Sequence, residues 1–393
     1  MWLATILGFG ILTLWVPARW ALSVFQVALF ALAAVRIVQR KSFALPFAGW
    51  MIAGAAAWGA LQAAAGWSVD RVTTLDATLN WVTNLVAFAL AADLYRNRDQ
   101  RERFLRAALI FSGGLAVISI FTFLTSPAGK AFWIFDADSE SHTLGPFVYQ
   151  NQYASFVEAV LPLAILGIIR DRRRWALYAI AIATLFGSVV TGGSRTGTIL
   201  CLAEILILPA IAFWRGMING NMLLRVVIVS QAAVVVLTGV VGWEPLWKRL
   251  QEPHPYQLRK DLALSSIAMM SDRPLAGFGL GTWPEAYPGY APFDDGTFVN
   301  QAHNDWLQWA DEGGLPLLAL ILAIAAWSVG PAVRTLWGVG LLSVWLHALV
   351  DYPMQQRPAL AAFFFALLGT LAATTAASAR ADAQTTPQSS PDR

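Results

Sequence analysis

The sequence has little charge and almost no cysteine for its length. Only 13% of its 393 residues are charged, against roughly 25% in soluble domains, while 57% are hydrophobic. This deficit of charge excludes an ordinary soluble globular protein. The single cysteine, Cys201, excludes an intramolecular disulfide. A net charge of +3 is too small to indicate an acidic partner, and we expect no nucleic acid to bind.

The chain also lacks the residue patterns of metal centres and of phosphate-binding loops. It contains no His-Glu-x-x-His segment and no group of carboxylates at metal-ligand spacing. The run Gly277-x-Gly279-x-Gly281 has no Lys-Ser after it and no sheet to support it, so it does not predict a nucleotide site. We therefore expect no metal and no cofactor.

Long apolar runs fill most of the chain instead. They are continuous rather than alternating, which predicts membrane-spanning helices and not a barrel. Runs of about 20 apolar residues are long enough to cross a bilayer, and we predict about twelve spans. These are residues 2–16, 20–37, 44–66, 76–94, 107–125, 151–169, 175–191, 198–214, 224–242, 315–333, 335–350 and 359–377. The predicted fold class is an all-α polytopic membrane protein, with residues 1–377 as one transmembrane domain.

The basic residues predict the orientation of this domain. Most of them lie on one set of alternate connections, including 96–106 and 170–174, which the positive-inside rule places in the cytoplasm together with both termini. Two connections on the other side, 126–150 and 243–302, are longer than turns and are expected to carry structure or function. Within 243–302 we predict a helix from Arg259 to Ser271, then a flexible turn. The Ala-, Gln- and Pro-rich segment 378–393 is predicted to be a disordered cytoplasmic tail.

All four histidines fall on the predicted external side, at positions 142, 254, 303 and 347. His303 lies in the polar and aromatic run 301–316, where Asn304 and Asp305 follow it and Gly313-Gly314 interrupts the helix as a hinge. A neighbouring carboxylate can fix the tautomer of a histidine and raise its basicity, so His303 is our candidate general base. The alternative is a satisfied histidine at the membrane interface.

Three arginines are candidates for gripping an anion. Arg195 lies in a short Gly-Gly-Ser-Arg-Thr-Gly turn between two apolar helices, where a planar guanidinium suits a phosphate. The alternative is an ordinary external turn whose arginine extends to the interface. Arg259 opens the predicted loop helix, where a solvated helix face is the alternative. Arg273 follows Asp272, and the two could form a local ion pair and nothing more.

A last polar pair stands near the end of the eleventh predicted span. His347 and Asp351 are four residues apart, a spacing that would place both side chains on one face of a helix. They are candidates for substrate binding. The alternative is a polar helix cap ahead of Pro353.

The order of these motifs resembles the bacterial O-antigen ligase and O-antigen polymerase superfamily. The similar segments are Gly145-Pro146-Phe147-Val148-Tyr149-Gln150-Asn151-Gln152-Tyr153-Ala154, Gly193-Ser194-Arg195-Thr196-Gly197, Arg259 with Pro274-Leu275-x-Gly277-x-Gly279-x-Gly281-Thr282, His303-Asn304-x-x-Leu307 with Glu312-Gly313-Gly314-Leu315-Pro316, and His347-x-x-x-Asp351-Tyr352-Pro353. Tyr149 and Gln152 depart from the family, whose members often have Asn and His there. Leu317 departs as well, and the choice between ligase and polymerase stays open.

The resemblance implies an inverting, metal-independent glycosyltransferase with a GT-C-like helical fold in the bacterial inner membrane and its active site in the periplasm. The donor would be a glycan on undecaprenyl diphosphate, and the acceptor a hydroxyl of lipid A–core or of another lipid-linked glycan. Arg195 and Arg259 would hold the diphosphate, and His303 would accept the proton of the acceptor. Further substrate-binding candidates are Asn151, Arg273, Asn304, His347 and Asp351.

Other functions remain open at this point. A protein O-oligosaccharyltransferase belongs to the same superfamily, although such chains tend to be longer. A transporter of the same lipid-linked glycan is the alternative from a different class. Transporters carry polar residues near mid-span and inverted repeats, whereas the candidate residues here gather on one face of the membrane.

Overall fold

The computed structural model describes residues 1–40, 44–137, 139–171, 173–252, 257–292, 296 and 298–385. Over these residues the chain forms fifteen α-helices and one small two-stranded sheet. Helices α1 to α15 are Trp2–Leu12, Arg19–Gln39, Phe47–Ala65, Arg71–Leu94, Arg98–Thr125, Gln150–Arg170, Trp175–Thr191, Arg195–Trp214, Gly220–Val241, Glu244–Leu250, Gln257–Asp272, Trp283–Ala286, Asp305–Thr335, Val339–His347 and Pro358–Thr385. Strands β1 and β2 are Lys130–Ala131 and Phe135–Asp136, paired antiparallel.

Each predicted span overlaps one of these helices, and the all-α polytopic membrane fold is confirmed. Among the described residues, eight helices are long and apolar enough to cross a bilayer, and α1 and α7 are shorter apolar helices. The span predicted at 335–350 is shorter than expected, because α14 has only nine residues. A helix of that length extends ~14 Å, about half of the hydrocarbon core, so the chain turns back within the protein.

Helix α6 lies at the centre of the protein. It is the most buried of the eight long spans, followed by α15, and it packs against α7, α8 and α14. Helix α15 packs mainly on α4, which also packs on α3. The N-terminal end of α6, from Tyr149 to Asn151, therefore emerges at the middle of the helix bundle, where several connections meet.

The long segment 243–302 carries α10, α11 and α12. Helix α11 runs from Gln257 to Asp272 and confirms the helix predicted from Arg259 to Ser271. His254 lies outside the described residues. At the C-terminal end of the chain, α15 continues through Thr385, so its last turns enter the segment predicted to be disordered, and residues 386–393 lie outside the described residues.

The glycine-rich turn after α11 is held against a kink in α13. Gly314 has φ +66° and breaks the helix, as the predicted hinge requires. The amides of Phe278 and Gly279 donate to the carbonyls of Asp311 and Glu312, each at 2.9 Å. A Cβ on Gly277, whose φ is +67°, would lie 2.3 Å from the Glu312 carbonyl oxygen. Only glycine permits this approach, so the turn predicted to be flexible is fixed by its contacts.

Candidate functional site

Asp351 is the centre of a buried polar cluster at the end of α6. Its side chain is 1% exposed and accepts a hydrogen bond from Tyr149 Oη at 2.9 Å. Arg259 Nη2 donates to Oδ2 at 2.7 Å, and Asn151 Nδ2 donates to the same oxygen. The carboxylate thus joins residues from three regions that are far apart in sequence, and it fixes the first turn of α11 against α6.

His303 is a partly exposed member of this cluster, as is Arg259. Its Nδ1 lies 3.4 Å from Asp351 Oδ1, and 22% of its side chain is accessible. The imidazole meets the Tyr352 ring edge-on with centroids 4.8 Å apart, and Tyr352 stacks on Tyr149 at 5.0 Å. The backbone of His303 has φ +52°, a strained value for a residue with a side chain. Packing therefore overrides backbone preference to hold this ring beside the carboxylate.

Asn304 stabilises the position of His303 rather than facing the site. Its Oδ1 accepts from the Leu307 amide at 3.1 Å, which caps α13, and its Nδ2 donates to the Leu349 carbonyl at 2.8 Å. The Asp305 amide donates to the Asp351 carbonyl at 3.1 Å. The start of α13 is thereby fixed to the turn that carries Asp351.

Burial and neighbouring charges shift the pKa of Asp351 in opposite directions. Burial alone would raise the pKa of the carboxyl, but the adjacent imidazole of His303, 3.4 Å away, and the charge of Arg259 hold this pKa below its ordinary value. Burial, assisted by the negative charge of Asp351, raises the pKa of the Tyr149 hydroxyl well above its usual range. Asp351 is therefore an anion at neutral pH, and Tyr149 is a neutral donor to it.

The Arg195 turn is connected to the cluster through Asn151. Ser194 Oγ caps α8 and also donates to Asn151 Oδ1 at 2.7 Å, while the amide of Asn151 contacts Asp351. Arg195 itself donates to the Arg249 carbonyl at 2.8 Å, which ties it to the end of α10. Its side chain is 13% exposed. One hydrogen-bond path thus runs from Ser194 through Asn151 to Asp351, and His303 lies beside the end of this path.

Arg273 lies away from these residues. It stands just beyond the last residue of α11, fourteen positions after Arg259, which corresponds to ~21 Å along a helix. Its guanidinium lies 4.7 Å above the Phe278 ring and donates to the Trp67 carbonyl at 3.2 Å. The local ion pair considered for Asp272 is not formed among the described residues, since Tyr290 Oη donates to Asp272 at 2.6 Å.

His347 and Asp351 are joined by one turn, in which the Asp351 amide donates to the His347 carbonyl at 3.1 Å, but their side chains contact different partners. Helix α14 ends at His347, and Asp351 lies in the turn that follows. The imidazole has no exposed surface, and its Nδ1 lies 2.7 Å from Glu158 in the core of α6. A side chain this deeply buried does not reach a substrate in this conformation. The four-residue spacing predicted their proximity in the chain, but it did not predict that the His347 side chain is buried against Glu158.

Three residues of the site were missed as site residues from sequence. Tyr149 and Tyr352 flank His303, although Tyr149 had been noted only as a departure from the family pattern. Arg249, in α10, donates to Gln150 at 2.7 and 2.9 Å when that amide is oriented with its oxygen toward the guanidinium. The signal for Arg249 was weak, because an arginine in a long polar segment is ordinarily solvated.

An apolar groove opens beside the Arg195 turn. Its volume is about 420 Å³, and it lies between α7, α8, α9 and α10. Val190 and Thr198 belong to the turns of α7 and α8 on either side of Arg195, and Trp243 and Leu246 come from the α10 region. The apolar groove therefore lies next to the turn that carries Arg195. This arrangement suits a ligand with an anionic head group and a hydrocarbon tail.

Comparison with known families adds one result to this geometry. Residues 180–322 match the family model described as O-Antigen ligase. The matched segment includes Arg195, Arg259, Arg273, His303 and Asn304, whereas Asn151, His347 and Asp351 lie outside it. No curated protein matches the chain. About half of the site residues thus lie in the matched segment, and the others come from the chain before and after it.

Proposed function

We propose that this protein transfers a glycan from undecaprenyl diphosphate to an acceptor hydroxyl, most specifically O-antigen to lipid A–core; the resemblance to the O-antigen ligase superfamily and the match over residues 180–322 support the proposal. We place it in the bacterial inner membrane with the cluster around Asp351 in the periplasm. The observation that carries the proposal is the contact of Arg259 and His303 with one carboxylate, at 2.7 and 3.4 Å.

In this mechanism Asp351 orients the base. A carboxylate facing Nδ1 favours the tautomer with its proton on that nitrogen, which leaves the lone pair of His303 Nε2 for the acceptor. As the acceptor oxygen attacks the anomeric carbon, its proton passes to Nε2 and the bond from that carbon to the diphosphate breaks with inversion. General-base catalysis of this kind contributes about 10²–10⁴-fold to the rate. We propose that the reaction is independent of metal ions.

The arginines stabilise the leaving group. The hydrogen-bond path through Asn151 joins Asp351, which pairs with Arg259, to Ser194, the residue before Arg195. Negative charge grows on the diphosphate as the glycosidic bond breaks, and both arginines can stabilise it. The apolar groove beside Arg195 suits the first isoprene units of the lipid. Asn151 and Asn304 act by positioning Asp351 and His303. Arg273, at the far end of α11, is not assigned a role in phosphate binding.

The test is glycan transfer by the purified protein in detergent, with undecaprenyl-diphosphate-linked O-antigen and lipid A–core as substrates. We expect His303→Ala to reduce the rate at least 10²-fold. His142→Ala is the matched control, because His142 contacts the Ser126 carbonyl and the Phe123 ring and lies outside the cluster. Transfer by His303→Ala at the parental rate would remove His303 as the base.

A deletion strain distinguishes the ligase from a polymerase that uses the same chemistry. Loss of all O-antigen from lipid A–core on a lipopolysaccharide gel is the result expected for a ligase. Core that carries a single repeat unit would instead identify a polymerase. Activity that is lost with a chelator and restored by Mg²⁺ would contradict the metal-independent mechanism.

A further inference from the structure

A polar cavity lies on the other side of the segment that carries His303. Its volume is about 370 Å³, within the range of small-ligand sites, and it is bounded by the start of α2, the first turns of α4 and the turn 355–358. It is contiguous with an inner space of about 70 Å³ that reaches Trp81, Trp309 and Glu312. Ala77, Asn80 and Gly281 line both parts.

Amide side chains dominate the polar part of the wall. On α4, Thr73, Asp76, Asn80 and Asn84 recur at helical spacing, so one face of that helix presents them to the cavity. Facing them are Gln301, Gln308, Gln355 and Gln356. Arg19 and Gln26 of α2 pair with Asp76 and Asn80 of this face, whereas Asn84 Oδ1 has no hydrogen-bond partner among the described residues, so the face is only partly satisfied within the helix bundle.

Hydrogen bonds to neighbouring residues fix the orientation of some of these amides and leave particular donor atoms available to a ligand. Gln26 Nε2 donates to Asn80 Oδ1 at 3.0 Å, which directs Asn80 Nδ2 elsewhere. Gln308 Nε2 donates to Gln301 Oε1 at 2.7 Å, while Gln308 Oε1 accepts from the Ala302 amide at 3.1 Å. The anchored amides therefore present donors in fixed positions.

Two further polar atoms are buried without a hydrogen-bond partner among the described residues. They are Asn84 Oδ1, in a residue that is 6% exposed, and Gln355 Nε2. Both residues line the inner space. An unsatisfied buried donor and acceptor are destabilising, and native proteins rarely keep them without a ligand or water. One acceptor and one donor facing a common space suit a hydroxyl group, which can satisfy both.

The charges around the cavity are balanced. Arg19 donates to Asp76 at 2.8 Å, and the other ionisable residues of the two linings are Arg357 and Glu312. This wall does not select for an anion. Neutral amides, a neutralised ion pair and the rings of Trp81 and Trp309 are instead the surroundings that suit an uncharged sugar ring.

We propose that this cavity binds a sugar ring of the acceptor saccharide. The assignment rests on the proposed function, because the acceptor hydroxyl must reach His303. Gln301 lines the cavity and is two residues from His303, so their Cα atoms are at most ~7 Å apart. A ring held by Asn80, Gln301 and Gln355 would place its neighbouring hydroxyl at the base, while the diphosphate occupies the side of Arg259 and Arg195.

The experiment uses the full-length protein in detergent and core oligosaccharide released from lipid A by mild acid. Binding is followed by quenching of tryptophan fluorescence, and transfer is measured against acceptor and donor concentration. We expect Asn80→Ala combined with Gln355→Ala to raise the Kd and the acceptor KM about tenfold, with the donor KM unchanged. Gln100→Ala, an exposed amide on α5, is the matched control.

Asn80→Asp is a second variant that distinguishes a loss of binding from a folding defect. It keeps the oxygen that accepts from Gln26 and replaces only the Nδ2 donor, so the same direction of change is expected in a protein of parental Tm. Unchanged acceptor Kd and KM in both variants, with transfer intact, would overturn the cavity assignment and leave the proposed function standing. Oligosaccharide binding that depends on Asn80 in a protein without transfer activity would support the saccharide site and overturn the proposed function.

Discussion

Two pairs of histidine and carboxylate lie on either side of the short helix end at residue 347. In one, His303 Nδ1 is 3.4 Å from Asp351 and the imidazole is 22% exposed. In the other, His347 Nδ1 is 2.7 Å from Glu158 and neither side chain has exposed surface. Each pair joins a histidine to a buried carboxylate, but only the first pair has an accessible ring.

The difference shows which features suit such a pair to a role in a reaction rather than to a role in stabilising the fold. Asp351 has Tyr149, Asn151 and Arg259 as additional donors, so its position does not depend on the histidine. His303 is therefore positioned but not enclosed. His347 is enclosed, with Ser155 Oγ 3.3 Å from the same Nδ1. We infer that His303 with Asp351 serves the reaction, whereas His347 with Glu158 joins α14 to α6.

The largest effect is expected from Asp351→Asn. The amide retains the size of the side chain but removes the charge that orients His303 and pairs with Arg259. We expect kcat to fall about 10³-fold, in the range that loss of an orienting carboxylate produces in other base-assisted enzymes. Transfer kinetics of the purified variant measure it. A kcat within threefold of the parent would show that the two pairs differ only in burial.

The next largest effect is the difference in kcat/KM between substitutions at the two ends of α11. Arg259→Ala removes a cation that contacts Asp351, and we expect kcat/KM to fall about 10²-fold. Arg273→Ala removes a guanidinium that stacks on Phe278 and should leave kcat/KM within about threefold. Both variants are assayed with the lipid-linked donor at subsaturating concentration. Equal losses would indicate that the diphosphate extends along the whole helix.

Features that depend on local sequence patterns were predicted, whereas features that depend on contacts between distant residues were not. The spans and α11 were predicted because hydrophobicity and helix breakers are local signals. That Arg259 and His303 meet was a hypothesis from the resemblance, since 44 positions separate them. Asp351 was a candidate for substrate binding, but its role in joining them was not predicted. The burial of His347 against Glu158 depends on tertiary packing that no sequence pattern showed.

A smaller effect, on stability instead of catalysis, is expected at the enclosed pair. His347→Ala leaves Glu158 buried without its partner, which should lower the free energy of unfolding by about 2 kcal/mol. The kcat of the folded fraction should stay within about threefold of the parent. Thermal unfolding in detergent, with transfer assays below the transition, measures both. Loss of kcat at unchanged Tm would assign His347 a role in the reaction.

The smallest effect concerns the pH dependence of the exposed pair. Because the folded protein holds the pKa of Asp351 below its ordinary value of about 3.9, the ionised carboxylate stabilises the fold above that pH, and the stabilisation is lost as the pH falls through the lowered pKa. The Tm difference between the parent and Asp351→Asn should therefore be constant from about pH 5 to 8 and shrink below about pH 4. A difference that already declines between pH 7 and pH 5 would mean that burial, which raises this pKa, outweighs His303 and Arg259. Asp351 would then be too weakly ionised to orient the base.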